Sequence, residues 1–97
     1  MIYHITTKAN WEAALQKDTY TAPSLFTEGF IHTSTQAQVA SVLQRYYAEQ
    51  TNLVKLHIDE LKLTAELKYE LAPSVNEMFP HIFGAINIDA IVLVEVL

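Results

Sequence analysis

The sequence predicts an α+β fold with helices packed against sheets, and three observations predict it. A capping signal, Thr35-x-x-Gln38, stands in front of a run with helical period. Two later stretches alternate apolar and polar residues as half-buried strands do. The elements follow the order β-α-β-α and then several strands in succession, which suits helices laid on sheets. With 97 residues, two glycines and three prolines, and no repeat or linker, the chain reads as one domain, residues 1–97.

Each element has its own warrant. Ile2 to Ile5 reads as a short buried strand. Thr6 or Thr7 then caps a helix that carries Trp11, Ala14 and Leu15 on one side and fades near Asp18. Tyr20 to Thr27 has turn chemistry in Pro23 and Ser24, and it leads through Glu28-Gly29 into a second strand, Phe30 to Thr33. After Thr35, the residues Val39, Val42, Leu43, Tyr46 and Tyr47 follow the i, i+3, i+4, i+7, i+8 spacing of a helix with one buried face. Leu53 to Asp59 places Val54, Leu56 and Ile58 on one side and Lys55, His57 and Asp59 on the other. Leu67 to Leu71 alternates likewise. Ala90 to Leu97, apolar and β-branched, reads as an interior strand, and His81 to Phe83 as a further short one.

Composition excludes several classes. Six Lys plus Arg against eleven Asp plus Glu give a net charge of −5, which argues against nucleic-acid binding through phosphate neutralisation. The longest apolar stretch, Ala90 to Val94, falls far short of the roughly 20 residues of a membrane helix. No basic segment opens the chain, so a soluble, unprocessed protein is expected, with the cytoplasm as the default location. The absence of cysteine removes disulfides, thiolate nucleophiles and Cys-ligated zinc.

Histidine is the one residue type here whose ordinary titration lies near neutrality, and the chain has four. His57, beside Lys55 and Asp59, fits a solvated sheet face. His4, His32 and His81 each sit in apolar surroundings, where a polar ring must find hydrogen bonds. Each can be a satisfied structural histidine. Alternatively, if the first two strands are neighbours, His4 and His32 face one cleft beside Thr33, Ser34 and Thr35 at the start of the following helix. Such a start suits a phosphate or carboxylate, although plain capping by Thr35 needs no ligand. The spacing does not favour a metal site, for there is no His-Glu-x-x-His and no His pair at i, i+4. Glu70, on the polar side of its strand, and Glu77, near His81, are the candidate catalytic carboxylates, with surface solvation as the plain alternative. None of Ser24, Ser34, Ser41 and Ser74 lies in a Gly-x-Ser-x-Gly elbow, and two glycines 55 residues apart cannot make a phosphate loop.

Four blocks carry a resemblance: Ile2-Tyr3-His4-Ile5-Thr6, Trp11-Glu12-Ala13-Ala14, Glu28-Gly29-Phe30-Ile31-His32-Thr33-Ser34 and Phe79-Pro80-His81-Ile82-Phe83-Gly84. Their order closely resembles a small bacterial family, domain of unknown function 952, over nearly the whole chain. More distantly, that family is similar to the ADP-ribosyltransferase fold superfamily. This likeness implies two bent, mostly antiparallel sheets with two helices around a cleft for NAD or a related phosphorylated nucleotide. His4 matches the superfamily's first motif, an Arg or His on the opening strand, and His32-Thr33-Ser34 fits its second loosely. The third motif is a late-strand Glu. Here that block holds His81, with Glu77 upstream and Glu70 on the preceding strand, so the resemblance implies a ligand cleft more than it implies transfer chemistry.

The resulting expectation is a domain that binds an NAD-like nucleotide or another phosphorylated or carboxylated ligand. His4, His32, His81, Glu70 and Glu77 are the candidate catalytic side chains. Tyr3, Thr33, Ser34, Phe79 and Phe83 are the candidate ligand contacts, with glycosyl or phosphoryl transfer as the chemistry. Two alternatives stand beside it, a non-catalytic ligand binder and an interaction module with a buried histidine network. No metal is assigned, and the sequence leaves monomer or homodimer open.

Overall fold

Alternation along β1 (Ile2–Thr7) has to satisfy two covers at once, because five of its six residues are buried. Ile2 joins the main core, while Tyr3 and Ile5 turn to a second, smaller cluster with Val39 and Leu53. His4 and Thr6 therefore share the inward face with Ile2. The computed structural model, which describes residues 1–97, pairs β1 antiparallel with β4 (Leu53–Ile58), and β4 in turn with β8 (Ile91–Val96). A second three-stranded sheet has the order β3-β6-β5, from β3 (Ile31–His32), β5 (Glu66–Ala72) and β6 (Glu77–Phe83). A two-stranded ribbon joins β2 (Thr19–Tyr20) to β7 (Ile86–Asn87), and every pairing is antiparallel. This is an α+β fold, with a third small sheet beyond the two expected.

Helix α1 (Lys8–Leu15) starts where Thr7 accepts a hydrogen bond from the Asn10 N–H at 3.1 Å. It buries Ala14, but Leu15 is half in solvent, and the helix ends before Asp18, whose φ of 61° closes the turn. The stretch from Tyr20 to Thr27 is more regular than its turn residues suggest. It contains β2 and a short helix, α2 (Pro23–Thr27), which uses Pro23 as its first residue because a proline ring pre-sets the helical φ there. Gly29 takes φ 91°, and its N–H and that of Glu28 both bond to Ser24 O as the chain leaves α2.

The Thr35 box is closed by the Gln38 side chain, which also reaches across the fold. Gln38 Oε1 accepts from the Thr35 N–H at 3.0 Å, and Gln38 Nε2 donates to Met78 O at 2.8 Å, tying the helix start to β6. One 3-10 turn (Gln36–Gln38) precedes α3 (Val39–Tyr46), shorter than its pattern. Its face buries Val39 and half-buries Val42, Leu43 and Tyr47, but leaves Tyr46 exposed.

Two strands depart from expectation. His81 to Phe83 is the end of the seven-residue β6, which runs through Pro80 in the middle of its sheet. The proline is tolerated because it faces the end of the short partner. Thr33 N–H bonds to Pro80 O at 3.2 Å, but the reciprocal donor would be the proline nitrogen, so the ladder stops and β3 is two residues instead of four. The C-terminal strand is an edge and not an interior strand. β8 pairs only with β4, and Val92, Leu93 and Val96 are exposed.

The two large sheets share no ladder. They meet at an isolated bridge between Tyr3 and Ser34, two backbone hydrogen bonds of 2.8 Å each. No helix is long and apolar enough to cross a membrane.

Candidate functional site

Where the sheets part from that bridge, a cavity of about 510 Å³ opens beneath α3. Tyr3, His4, His32, Thr33, Ser34, Phe79 and His81, seven of the ten nominated residues, line it. No Lys, Arg, Asp or Glu does.

Strand alternation explains the convergence. In β6, Phe79, His81 and Phe83 share a face, with Pro80 and Ile82 on the other, and Ile82 is fully buried in the core. The register sets His32 opposite His81, and Glu70 opposite Phe79. Glu70 thus lies one diagonal step from His81, and its Oε1 accepts a hydrogen bond from His81 Nδ1–H at 2.8 Å. That fixes the tautomer and leaves Nε2 as the bare acceptor. His81 Nε2 has no partner within the chain and is not sealed from solvent. Phe30 stacks on the ring at 4.0 Å and 16°. A carboxylate behind one nitrogen and an aromatic plate along the ring together hold the imidazole in one orientation.

His32 is the exposed member of the set, with Nε2 at 3.1 Å from Glu28 Oε2. His4 is the buried one. Its Nδ1–H donates to His32 O at 2.6 Å, so Nε2 is the acceptor for the Tyr20 hydroxyl at 2.8 Å. Tyr20 Oη then receives the Thr6 hydroxyl across 2.8 Å, and Thr6 Oγ1 takes the Asn10 amide at 3.4 Å. Burial lowers the His4 pKa to about 4, against the opposing hydrogen bond to His32 O, and burial raises Tyr20 to about 12. With both ring nitrogens committed and the charged form disfavoured, His4 is a neutral brace that fixes the backbone at His32. It does not share a sheet with His32, as neighbouring first strands would require, and it touches that residue's carbonyl and not its ring.

The hydroxyls nominated for a ligand are spent in part. Thr33 Oγ1 donates to Pro80 O at 2.7 Å, and Ser34 is buried at the sheet bridge. At the Thr35 turn the cap itself uses the Thr35 N–H, which bonds to Gln38 Oε1, and the Gln38 N–H, which bonds to Thr35 O. Three nominated residues do not line the cavity, and of these Glu70 reaches it through His81. Glu77 is four residues from His81 along an extended strand, about 13 Å away, and exposed at the hairpin end opposite Ala72. Phe83 packs behind Phe30 at 5.5 Å. His57 is not on a solvated face. Its Nε2 donates to Glu95 at 2.9 Å and its ring meets Tyr3 edge-on, while hydrogen bonds from His57 and Lys55 lower the Glu95 pKa. No three His, Asp or Glu side chains gather as a metal-holding group.

Phe30, Tyr46, Tyr47 and Glu28 are the contributors that sequence reasoning passed over. Phe30 and Glu28 were present in the Glu28-to-Ser34 block, and the i, i+4 spacing of Glu28 and His32 was a visible signal. Tyr46 was read as core, yet its exposure places it at the cavity mouth.

Fold and site together define a small α+β domain with a histidine-bearing aromatic cleft between two sheets. The chain belongs to the family described as protein of unknown function (DUF952), whose model matches residues 5–94. It is similar to protein CC0527 from Caulobacter crescentus. Against the crystal structure the TM-score is 0.87 at 26% identity, covering 96% of this chain and 82% of that one. Against the solution NMR structure it is 0.85 at 27% identity, covering 99% and 83%. No curated protein matches the chain.

Proposed function

We propose that the cleft binds a small molecule bearing a planar ring, an NAD-like nucleotide among the candidates, and that His81 positioned by Glu70 supplies acid–base chemistry at a glycosidic or phosphoryl centre. The observation that carries this reading is the free Nε2 of His81 at the wall of an aromatic cavity, with Nδ1 held by Glu70 at 2.8 Å. Tyr3, Phe30, Tyr46, Tyr47 and Phe79 offer flat apolar surface for a ring. About 510 Å³ is the size of a drug-like or nucleoside-sized ligand. With no Lys or Arg in the lining, the phosphates of a dinucleotide would have only the imidazoles and solvent to meet them. The likeness to ADP-ribosyltransferases, noted in the sequence, supports a nucleotide but leaves the late-strand Glu without a direct counterpart, since Glu70 reaches the cleft through His81.

A second reading, the structural histidine network, is favoured at one residue only. His4 has both nitrogens bonded and 7% exposure, the signature of a brace.

Histidine-resolved NMR titration with nicotinamide, ADP-ribose and NAD tests the proposal. Saturable shifts at His81 and at the Phe30 and Tyr46 rings, with His57 unmoved, are expected. If none of the three ligands moves His81, the cleft is not their site and the reading falls.

A further inference from the structure

Glu28 has no task in the reading above, yet it stands behind the exposed imidazole as Glu70 stands behind the buried one. His32 Nε2 lies 3.1 Å from Glu28 Oε2 and His81 Nδ1 2.8 Å from Glu70 Oε1. The two ring centroids are 5.4 Å apart at 79°. Both rings rest on Phe30, which stacks on His81 and meets His32 edge-on at 4.9 Å. No hydrogen bond joins the imidazoles. Each leaves one nitrogen, His32 Nδ1 and His81 Nε2, without a partner in the chain, and both residues line one cavity.

Resting on the cleft reading, we infer that His32 with Glu28 is a second acid–base unit, and that the two imidazoles together handle a phosphate ester whose leaving oxygen needs a proton. One base suffices where the leaving group departs neutral, as nicotinamide does. Two carboxylate-backed imidazoles, close enough for a single tetrahedral anion to hydrogen-bond both, suit a reaction that removes one proton and delivers another. Burial divides the roles. The His81 side chain is 10% exposed and the His32 side chain 53%, so His32 is the ring that solvent reaches for proton exchange. His81 Nε2 takes the proton of an attacking hydroxyl or water as its oxygen bonds to phosphorus. The bond from phosphorus to the leaving oxygen breaks, and that oxygen takes the proton of His32 Nδ1–H. His81 ends protonated and His32 neutral, and exchange with solvent restores both.

The surrounding charges make the site pH-dependent. Glu28 and Glu70 back the rings, and Lys68 lies across the ladder from His81 with its ammonium over Phe83 at 5.3 Å and 3.7 Å from Glu66. His4 adds no charge near neutrality. An anion is drawn in when the two rings are protonated and repelled by the carboxylates when they are neutral.

Inorganic phosphate is the probe, titrated into the full chain at about pH 5.5 and about pH 8 while the imidazole nitrogens are followed by NMR. Saturable shifts confined to His32 and His81 are expected at the lower pH, with affinity weaker by about tenfold at the higher one and in His32→Asn. Glu28→Ala, at an exposed position, is expected to release neutral His32 from its Nε2–H tautomer into a mixture, read from the ring nitrogen shifts. Phosphate that moves neither ring at the lower pH, or moves all four histidines alike, overturns the paired assignment, as does a His32 tautomer unchanged by Glu28→Ala. A nicotinamide shift at His81 in that case leaves the cleft reading standing on its own.

Discussion

Protonation is costly at His4, because the ring is desolvated and its Nε2 already accepts from Tyr20. The folded-state pKa, about 4, lies below the ordinary value of 6.5, so the unfolded chain binds the proton first as pH falls. His4 therefore contributes stability that is fully present above pH 6.5 and is lost as pH falls toward about 4. Removing the ring should remove that slope. The stability gap between wild type and His4→Gln, measured by urea melts, is expected to narrow by about 2 kcal/mol between pH 7 and pH 5. A gap independent of pH would mean that His4 is solvated, and the brace would have to be abandoned. The variant also separates two roles, for a brace predicts lost stability together with altered His32 ring shifts, and a catalytic His4 predicts lost chemistry in a stable fold.

At the scale of elements, one glycine sets the entry to the site. Gly29 at φ 91° joins α2 to β3, and the residues on either side of it, Glu28 and Phe30, both bear on the histidine pair. Its added Cβ would meet nothing within 4 Å, so the cost of substitution is conformational and not steric. Gly29→Ala is expected to cost about 1–2 kcal/mol, seen in a thermal melt, and to shift the His32 and Phe30 resonances more than those of β8. An unchanged melting temperature would show that the turn adopts another path. The same segment shows what local patterns miss. The Phe30 to Thr33 strand was visible as a run of β-formers, but its early end depends on the N–H that Pro80 lacks, 47 residues away.

Across the whole molecule, apolar side chains are unevenly covered. Ile82, fully buried between β3 and β5, anchors the inner face of the histidine-bearing sheet, whereas Leu93 on the edge strand is 54% exposed. Ile82→Ala is expected to cost about 2–5 kcal/mol, while Leu93→Lys is expected to change stability by less than about 0.5 kcal/mol. Denaturant titration of both variants checks the contrast, and a large loss from Leu93→Lys would mean that the edge is covered in solution. Sequence periodicity made the α+β class legible, but the inner and outer residues of this sheet only in part, for on the apolar side of Leu67 to Leu71 the residues Tyr69 and Leu71 are 46% and 53% exposed. What periodicity could not supply was the third dimension: which strands pair, that Glu70 and not Glu77 reaches His81, and that the apolar final strand lies at an edge. Glu77 looked near because sequence distance was read as spatial distance, and an extended strand makes the two nearly proportional only along its own axis. The bracing of His4 was not legible, because nothing in the sequence announces Tyr20, which arrives from a two-stranded ribbon.

The bridge between Tyr3 and Ser34 has a mechanical meaning. Three hydrogen bonds gather at one place, the two of the bridge and the bond from His4 Nδ1–H to His32 O beside them, and one apolar core takes Ile2 and Leu56 from the first sheet and Ile31 and Ile82 from the second. The joint therefore behaves as a weld and not as a pin. Gln38, reaching from the start of α3 to the Met78 carbonyl, acts as a strut across the same opening. The angle between the sheets is held at the weld and at the strut, so an entering molecule meets walls already set in place.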